Sequence, residues 1–144
     1  MGSVPDGVYH IKFNGDQFLT VGEEGAVTLL PARDDRQKFE VRRTPGGNYA
    51  ISKASSIWPS PFVCYDGAPA TPYEGARLRV RVSDFPTCEW KITEGSQPGT
   101  FTIVVAGDGQ PLTVGIAPIA IFPPFLQLTS GSDEDLGWTF EEAK

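Results

Sequence analysis

An all-β fold assembled from three repeats of four strands is what this sequence predicts. Three observations carry that prediction: a high density of chain breakers, a segment that recurs three times, and apolar residues alternating every second position. Glycine (16) and proline (13) fill about a fifth of the 144 residues without the short period of collagen. Breakers at that density cut the chain into short pieces and leave little room for long helices.

The recurrence is plainest between the first and last parts of the chain. Gly7-Val8-Tyr9-His10-Ile11-Lys12-Phe13, followed by Asn14-Gly15-Asp16 and Gln17-Phe18-Leu19-Thr20-Val21-Gly22, has a close echo. That echo is Gly99-Thr100-Phe101-Thr102-Ile103-Val104-Val105, then Ala106-Gly107-Asp108-Gly109 and Gln110-Pro111-Leu112-Thr113-Val114-Gly115. A weaker middle copy opens at Gly47-Asn48-Tyr49-Ala50-Ile51 and continues with Pro61-Phe62-Val63-Cys64-Tyr65-Asp66-Gly67. The copies also close alike, on Phe39-Glu40-Val41, Trp90-Lys91-Ile92 and Trp138-Thr139-Phe140, with anchors 51 and 48 residues apart. Such a period suits a propeller or a threefold closed barrel. Ordinary propellers use about 4 to 8 blades, so three units point to the barrel, a β-trefoil with twelve strands and pseudo-threefold symmetry.

Each element follows from local pattern. Tyr9, Ile11 and Phe13 alternate with His10 and Lys12, giving a strand at 8–13 with one wet face. Asn14-Gly15 is a strong hairpin pair because both central positions tolerate positive φ. Strands then follow at 17–21, 26–30 and 38–43, closing a first repeat over 7–46. The second repeat, 47–98, carries strands at 48–53, 61–65, 77–83 and 88–93. In its third strand Leu78, Val80 and Val82 alternate with Arg77, Arg79 and Arg81. The last repeat, 99–144, turns at Asp108-Gly109 and carries strands at 100–105, 111–115, 119–128 and 137–142. One domain over 1–144 accounts for all of it.

Composition excludes several function classes. A net charge of −6 argues against tight binding to bare nucleic acid, which rests on neutralising phosphates. No segment reaches the roughly 18 apolar residues of a spanning helix, so no membrane partner is expected. The first six residues lack a basic region followed by an apolar one, so a cytoplasmic protein, or one exported without a leader, is expected, as a monomer. Cys64 and Cys88 are either buried free thiols or one disulfide closing a loop of about 25 residues.

Catalytic chemistry finds little support. His10 is the single histidine and lies on the polar parity of its strand, so an exposed surface role is expected. No paired-histidine or zinc-spaced cysteine set occurs, so no metal and no cofactor is expected. There is no glycine-rich phosphate loop and no G-x-S-x-G elbow, and an enzyme is not expected. Asp16, Asp66 and Asp108 recur once per repeat in turns. They read either as ordinary turn aspartates or as sugar ligands of a lectin. Arg77, Arg79 and Arg81 form a basic stripe, either a solvated strand face or a patch for an anionic surface or sulfated sugar.

A packed barrel leaves its loops for function. Pro31-Ala32-Arg33-Asp34-Asp35-Arg36 joins strands three and four and offers Arg33 or Arg36 to solvent. The connection between strands five and six holds Ile57-Trp58-Pro59 among prolines, either packed on the barrel end or covered by a partner. A rigid loop of this kind loses little entropy on binding, as a substrate-like inhibitor requires.

The stretch Cys88-Glu89-Trp90-Lys91-Ile92-Thr93 with Phe101-Thr102-Ile103 resembles the fungal (mushroom) β-trefoil serine protease inhibitors related to cospin. The opening Gly7-Val8-Tyr9-His10-Ile11, Leu29-Leu30-Pro31 and Phe122-Pro123-Pro124-Phe125 carry the same likeness. The resemblance implies inhibition of serine proteases by an exposed loop. The related mycocypins imply cysteine proteases as another target class. Family members that block trypsin use a long loop between strands two and three bearing arginine or lysine. Here that segment is Gly22-Glu23-Glu24-Gly25, short and acidic, so the family's reactive site does not carry over. The expected contacts are Arg33 or Arg36 in a trypsin-like pocket, or Ile57-Trp58-Pro59 as an apolar plug for a chymotrypsin-like or papain-like cleft. A ricin-B-like lectin using Asp16, Asp66 or Asp108 is the alternative.

Overall fold

The computed structural model describes residues 4–13, 17–22, 25–31, 37–54, 60–66, 73–83, 88–95, 99–105, 112–116, 126–129 and 137–142. These include twelve strands: β1 (Gly7–Phe13), β2 (Gln17–Val21), β3 (Val27–Leu30), β4 (Phe39–Arg43), β5 (Tyr49–Lys53) and β6 (Ser60–Tyr65) in the first half. The second half adds β7 (Leu78–Ser83), β8 (Trp90–Glu94), β9 (Phe101–Val105), β10 (Thr113–Ile116), β11 (Leu126–Thr129) and β12 (Trp138–Glu142). All the strand pairings are antiparallel, and six strands close on themselves: β1 to β4, β4 to β5, β5 to β8, β8 to β9, β9 to β12, and β12 back to β1. The other six form three hairpins, β2–β3, β6–β7 and β10–β11, each attached to the ring through its first strand. The result is a six-stranded barrel with six outer strands.

The hairpins meet one another by single backbone bridges. Ala26, just before β3, bridges to Arg79 in β7, and Arg77, just before β7, bridges to Gln127 in β11. In each bridge the residue before one hairpin's second strand pairs with the second residue of the next. That shared offset makes the hairpins related copies.

The three closing aromatics become the heart of the core. Phe39, Trp90 and Trp138 are each 0% exposed. Both indoles keep a hydrogen bond in that setting: Trp90 Nε1 donates to the Val63 carbonyl at 3.0 Å and Trp138 Nε1 to the Val114 carbonyl at 3.4 Å. Phe39 has no donor and needs none. Burying an aromatic or branched side chain contributes roughly 1.5–3 kcal/mol, and a buried indole must find an acceptor.

Two of the repeat-opening glycines have a conformational reason. Gly47 (φ 86°) and Gly99 (φ 80°) lie in the left-handed region at the turns into β5 and β9. Gly47 N–H also donates to the Thr44 carbonyl at 2.9 Å, closing that turn.

Two expectations change, at the start of the strand expected at 88–93 and at Val82. The strand expected at 88–93 begins at Trp90; Glu89, just before it, accepts at Oε1 from Thr44 Oγ1 (2.9 Å) and Asn48 Nδ2 (3.2 Å). The strand expected at 119–128 is seen from Leu126, and positions 119–125 lie outside the described residues. Val82, placed inward by alternation, is 66% exposed where β7 runs past the core. Of the two readings for the cysteines, buried free thiols hold for both Cys64 and Cys88.

Candidate functional site

The two connections singled out for function rise from adjoining stems. The first leaves β3 at Leu30, passes exposed Pro31, and returns at Gln37 and Lys38 before β4. The second leaves β5 at Lys53 and Ala54 and returns at Ser60. Phe39 of β4 pairs with Lys53 of β5, and the Ala54 N–H donates to the Lys38 carbonyl at 2.8 Å. The returning stem of one connection is therefore bonded to the departing stem of the other.

A buried amide braces the first connection. Gln37 is 0% exposed, and its Nε2 donates to the Leu30 carbonyl at 3.1 Å and to Thr20 Oγ1 at 3.0 Å. Thr20 Oγ1 passes its own proton to the Phe18 carbonyl at 2.8 Å. The Leu30 bond links the two feet of the connection seven residues apart, so its base has a fixed width. Among the described residues no buried side-chain nitrogen or oxygen lacks a partner. The amide's two donors suit this place, since one meets the Leu30 carbonyl on the departing stem and the other the Thr20 hydroxyl of β2.

His10 supports the same brace. Its Nδ1 lies 3.1 Å from the Gln37 carbonyl, so the ring carries a proton on Nδ1 and donates it. The imidazole edge meets Phe18, with ring centroids 5.8 Å apart. The expectation of an exposed histidine is thus corrected: His10 is half-buried against the foot of the loop.

Of the residues named from sequence, Arg33, Arg36, Ile57, Trp58, Pro59, Asp16 and Asp108 lie outside the described residues. Asp66 lies within them, in the turn after β6, where its Oδ1 accepts from Arg79 Nε at 2.9 Å. Gln37 escaped sequence reading because one glutamine beside an aromatic anchor carries no pattern. Its signal is topological: only the fold brings Thr20 and Leu30 to it.

The opposite fastening of the first repeat is a strap at the N-terminal side of β1. Tyr9 OH donates to the Pro5 carbonyl (2.7 Å), Tyr49 OH to the Val4 carbonyl (2.9 Å), and the Arg43 N–H to Asp6 Oδ1 (2.9 Å). Burial, reinforced by Glu142 and Asp6, holds the Tyr9 phenol above its usual pKa. The Tyr65 phenol is raised too, by burial and then by the neighbouring Cys88 and Cys64. Among the described residues no three His, Cys, Asp or Glu side chains gather as a metal site would need.

No protein-family model and no curated protein sequence matches this chain. Solved structures do. The type II water soluble Chl binding proteins superpose with a TM-score of 0.71 at 17% identity over 100% of both chains. SeviL bound to asialo-GM1 saccharide gives a TM-score of 0.68 at 14% identity, over 96% of this chain and 99% of that one. Soybean trypsin inhibitor, in its complex with porcine pancreatic trypsin, gives 0.65 at 12% identity over 97% and 93%. Likeness at these identities shows the fold alone: all-β, twelve strands, with neighbours of β-trefoil type. It lends no sequence support to the fungal cospin family in particular.

Proposed function

We propose that this chain is a single-domain β-trefoil, with repeats over 7–46, 47–98 and 99–144, that inhibits proteases without chemistry of its own. The target class is a serine protease, blocked by an exposed loop that occludes its active site. The observation that supports this is the braced pair of stems. Gln37 fixes the base of the connection carrying Arg33 and Arg36, and Ala54 joins it to the connection carrying Ile57-Trp58-Pro59. A loop whose feet are already fixed gives up less entropy on docking, the condition for tight substrate-like inhibition. The likeness to an inhibitor held in a trypsin complex agrees with a protease partner.

Arg33, with Arg36 second, is the cation for a trypsin-like pocket; Ile57-Trp58-Pro59 is the plug for a chymotrypsin-like or papain-like one. The test is an inhibition panel with trypsin, chymotrypsin, papain and an asparagine-specific protease. Arg33→Ala is expected to weaken trypsin inhibition at least about thirtyfold, the hot-spot scale of about 2 kcal/mol. Absence of inhibition across the panel at micromolar protein refutes the reading.

A carbohydrate-binding role is the second reading, supported by the likeness to saccharide-bound SeviL. It would employ Asp16, Asp66 or Asp108, although one Asp66 oxygen already accepts from Arg79. A glycan array decides it: binding that disappears with Asp→Ala at one of these turns favours the lectin.

A further inference from the structure

The second repeat carries two buried thiols at the positions where the first repeat has a hydrogen-bonded polar pair. Strand register establishes the equivalence. Lys12 pairs with Phe18 and Ser52 with Phe62, each three residues after the ring tyrosine of its repeat, Tyr9 or Tyr49. Two residues further on, Thr20 pairs with Thr28 and Cys64 with Arg79, and these partners are the second residues of β3 and β7. Cys64 therefore stands where the first repeat has Thr20. Cys88 stands where it has Gln37, two residues before the closing aromatic, Trp90 in one copy and Phe39 in the other.

Thr20 and Gln37 touch: Gln37 Nε2 donates to Thr20 Oγ1 at 3.0 Å, and both residues are 0% exposed. Cys64 and Cys88 are buried in the same way, at 0% and 6% exposure. Trp90 ties their surroundings together, since its Nε1 donates to the carbonyl of Val63, the residue before Cys64. A cysteine side chain stops two atoms short of a glutamine's amide nitrogen, so Cys88 reaches less far toward Cys64 than Gln37 toward Thr20. Two metal–thiolate bonds of about 2.3 Å each make up that difference. The Tyr65 phenol lies near both thiols: burial first, then Cys88 and Cys64, favour its protonated form. A protonated phenol is a hydrogen-bond donor.

We propose that Cys64 and Cys88 bind one cuprous ion as a two-coordinate bis-thiolate. Soft thiolate ligands select Cu(I) and zinc among the common divalent and monovalent ions. A structural zinc site takes four ligands, whereas Cu(I) is satisfied by two in line. Two thiols and Cu⁺ give an S–Cu–S anion and two protons released to solvent. Copper keeps its oxidation state throughout, so no oxidant or reductant takes part. Tyr65 is a positioning residue that offers its O–H to a sulfur carrying the anion's charge. The site stands or falls apart from any inhibition of a protease.

The test uses the full chain, reduced and free of oxygen, titrated with Cu(I) against the chelator bathocuproine disulfonate. The expected result is one copper per chain, with two sulfur neighbours by X-ray absorption. Apparent affinity should rise with pH by up to about a hundredfold per unit, about tenfold for each proton released. The variant Cys64→Thr/Cys88→Gln installs the first repeat's own pair, and its melting curve reports folding. Its affinity should fall at least about a hundredfold, beyond the roughly 10–100-fold cost of losing a supporting residue. Tyr65→Phe should lose about tenfold and keep both sulfur neighbours. Should the double variant unfold, Cys88→Ser alone must still lose the copper. The proposal is overturned if the chelator strips all the copper, if two chains share one ion, or if the cysteine variants bind as tightly as wild type. Zinc held as tightly as Cu(I) by the same thiols overturns it too.

Discussion

Replacing Gln37 by leucine tests whether a single buried amide sets the loop base. The shapes are similar, so the change removes two donated bonds, 3.0 and 3.1 Å long, with little new cavity. Thr20 Oγ1 keeps its own bond to the Phe18 carbonyl, but the Leu30 carbonyl loses the amide's bond at a part-buried position. An orphaned buried acceptor costs about 1–3 kcal/mol. Added apolar burial returns up to about 0.8 kcal/mol per methylene equivalent. The net expectation is a loss of about 1–2 kcal/mol, or a melting temperature lower by roughly 2–8 °C for a chain near this size. Differential scanning calorimetry measures it. Inhibition of the target protease should weaken about tenfold in parallel, because the feet of the loop are no longer joined. Gln37→Glu should be worse at neutral pH, since a carboxylate there meets the Leu30 carbonyl without a donor. It should recover relative to wild type on acidification, when the buried acid regains its proton. A Gln37→Leu protein that melts at or above the wild-type temperature refutes the brace.

Three further outcomes follow from described geometry. Gly47→Ala and Gly99→Ala should each cost about 1–2 kcal/mol in urea unfolding, because the cost comes from positive φ and nothing crowds a Cβ at either site. Trp90→Phe should cost about 2–4 kcal/mol, from lost volume and an unpaired Val63 carbonyl, with an unchanged m-value if the barrel stays intact. Stability should also fall in alkali. Tyr9 and Tyr65 hold their protons above the usual 10.0, so the unfolded chain ionises first; their contribution is complete below pH 10 and is lost as pH rises through the folded values. Urea midpoints at pH 8 and pH 11, compared between wild type and Tyr9→Phe, check the sign.

The barrel was legible in sequence because its constraints repeat. The G-x-aromatic-x-Ile openings and the aromatic closures mark ring strands three times over, so β1, β5 and β9 were located to within a residue. What periodicity could not supply is what breaks the symmetry. Tyr9 and Tyr49 hold the Val4–Asp6 strap by their hydroxyls, whereas Phe101 at the same place in the third copy has no hydroxyl to offer. Gln37 and His10 likewise matter through partners distant in sequence, and a residue's own neighbours say nothing of those. The exposure of Val82 was missed for a related reason: alternation predicts a face, not whether the core extends beneath it.

The seam between β1 and β12, registered from Tyr9 opposite Glu142 to Phe13 opposite Trp138, joins the first strand of the ring to the last. An ion pair between Lys12 and Glu141, at 2.6 Å, crosses it. During synthesis, therefore, β1 emerges long before the partner for that edge exists. At about 5–20 residues added per second, the wait is roughly 6–25 s. Closing so long a loop also makes folding slow, and an open strand edge is a template for pairing between chains. The ring that leaves the finished barrel without an edge leaves the growing chain with one until its last strand appears.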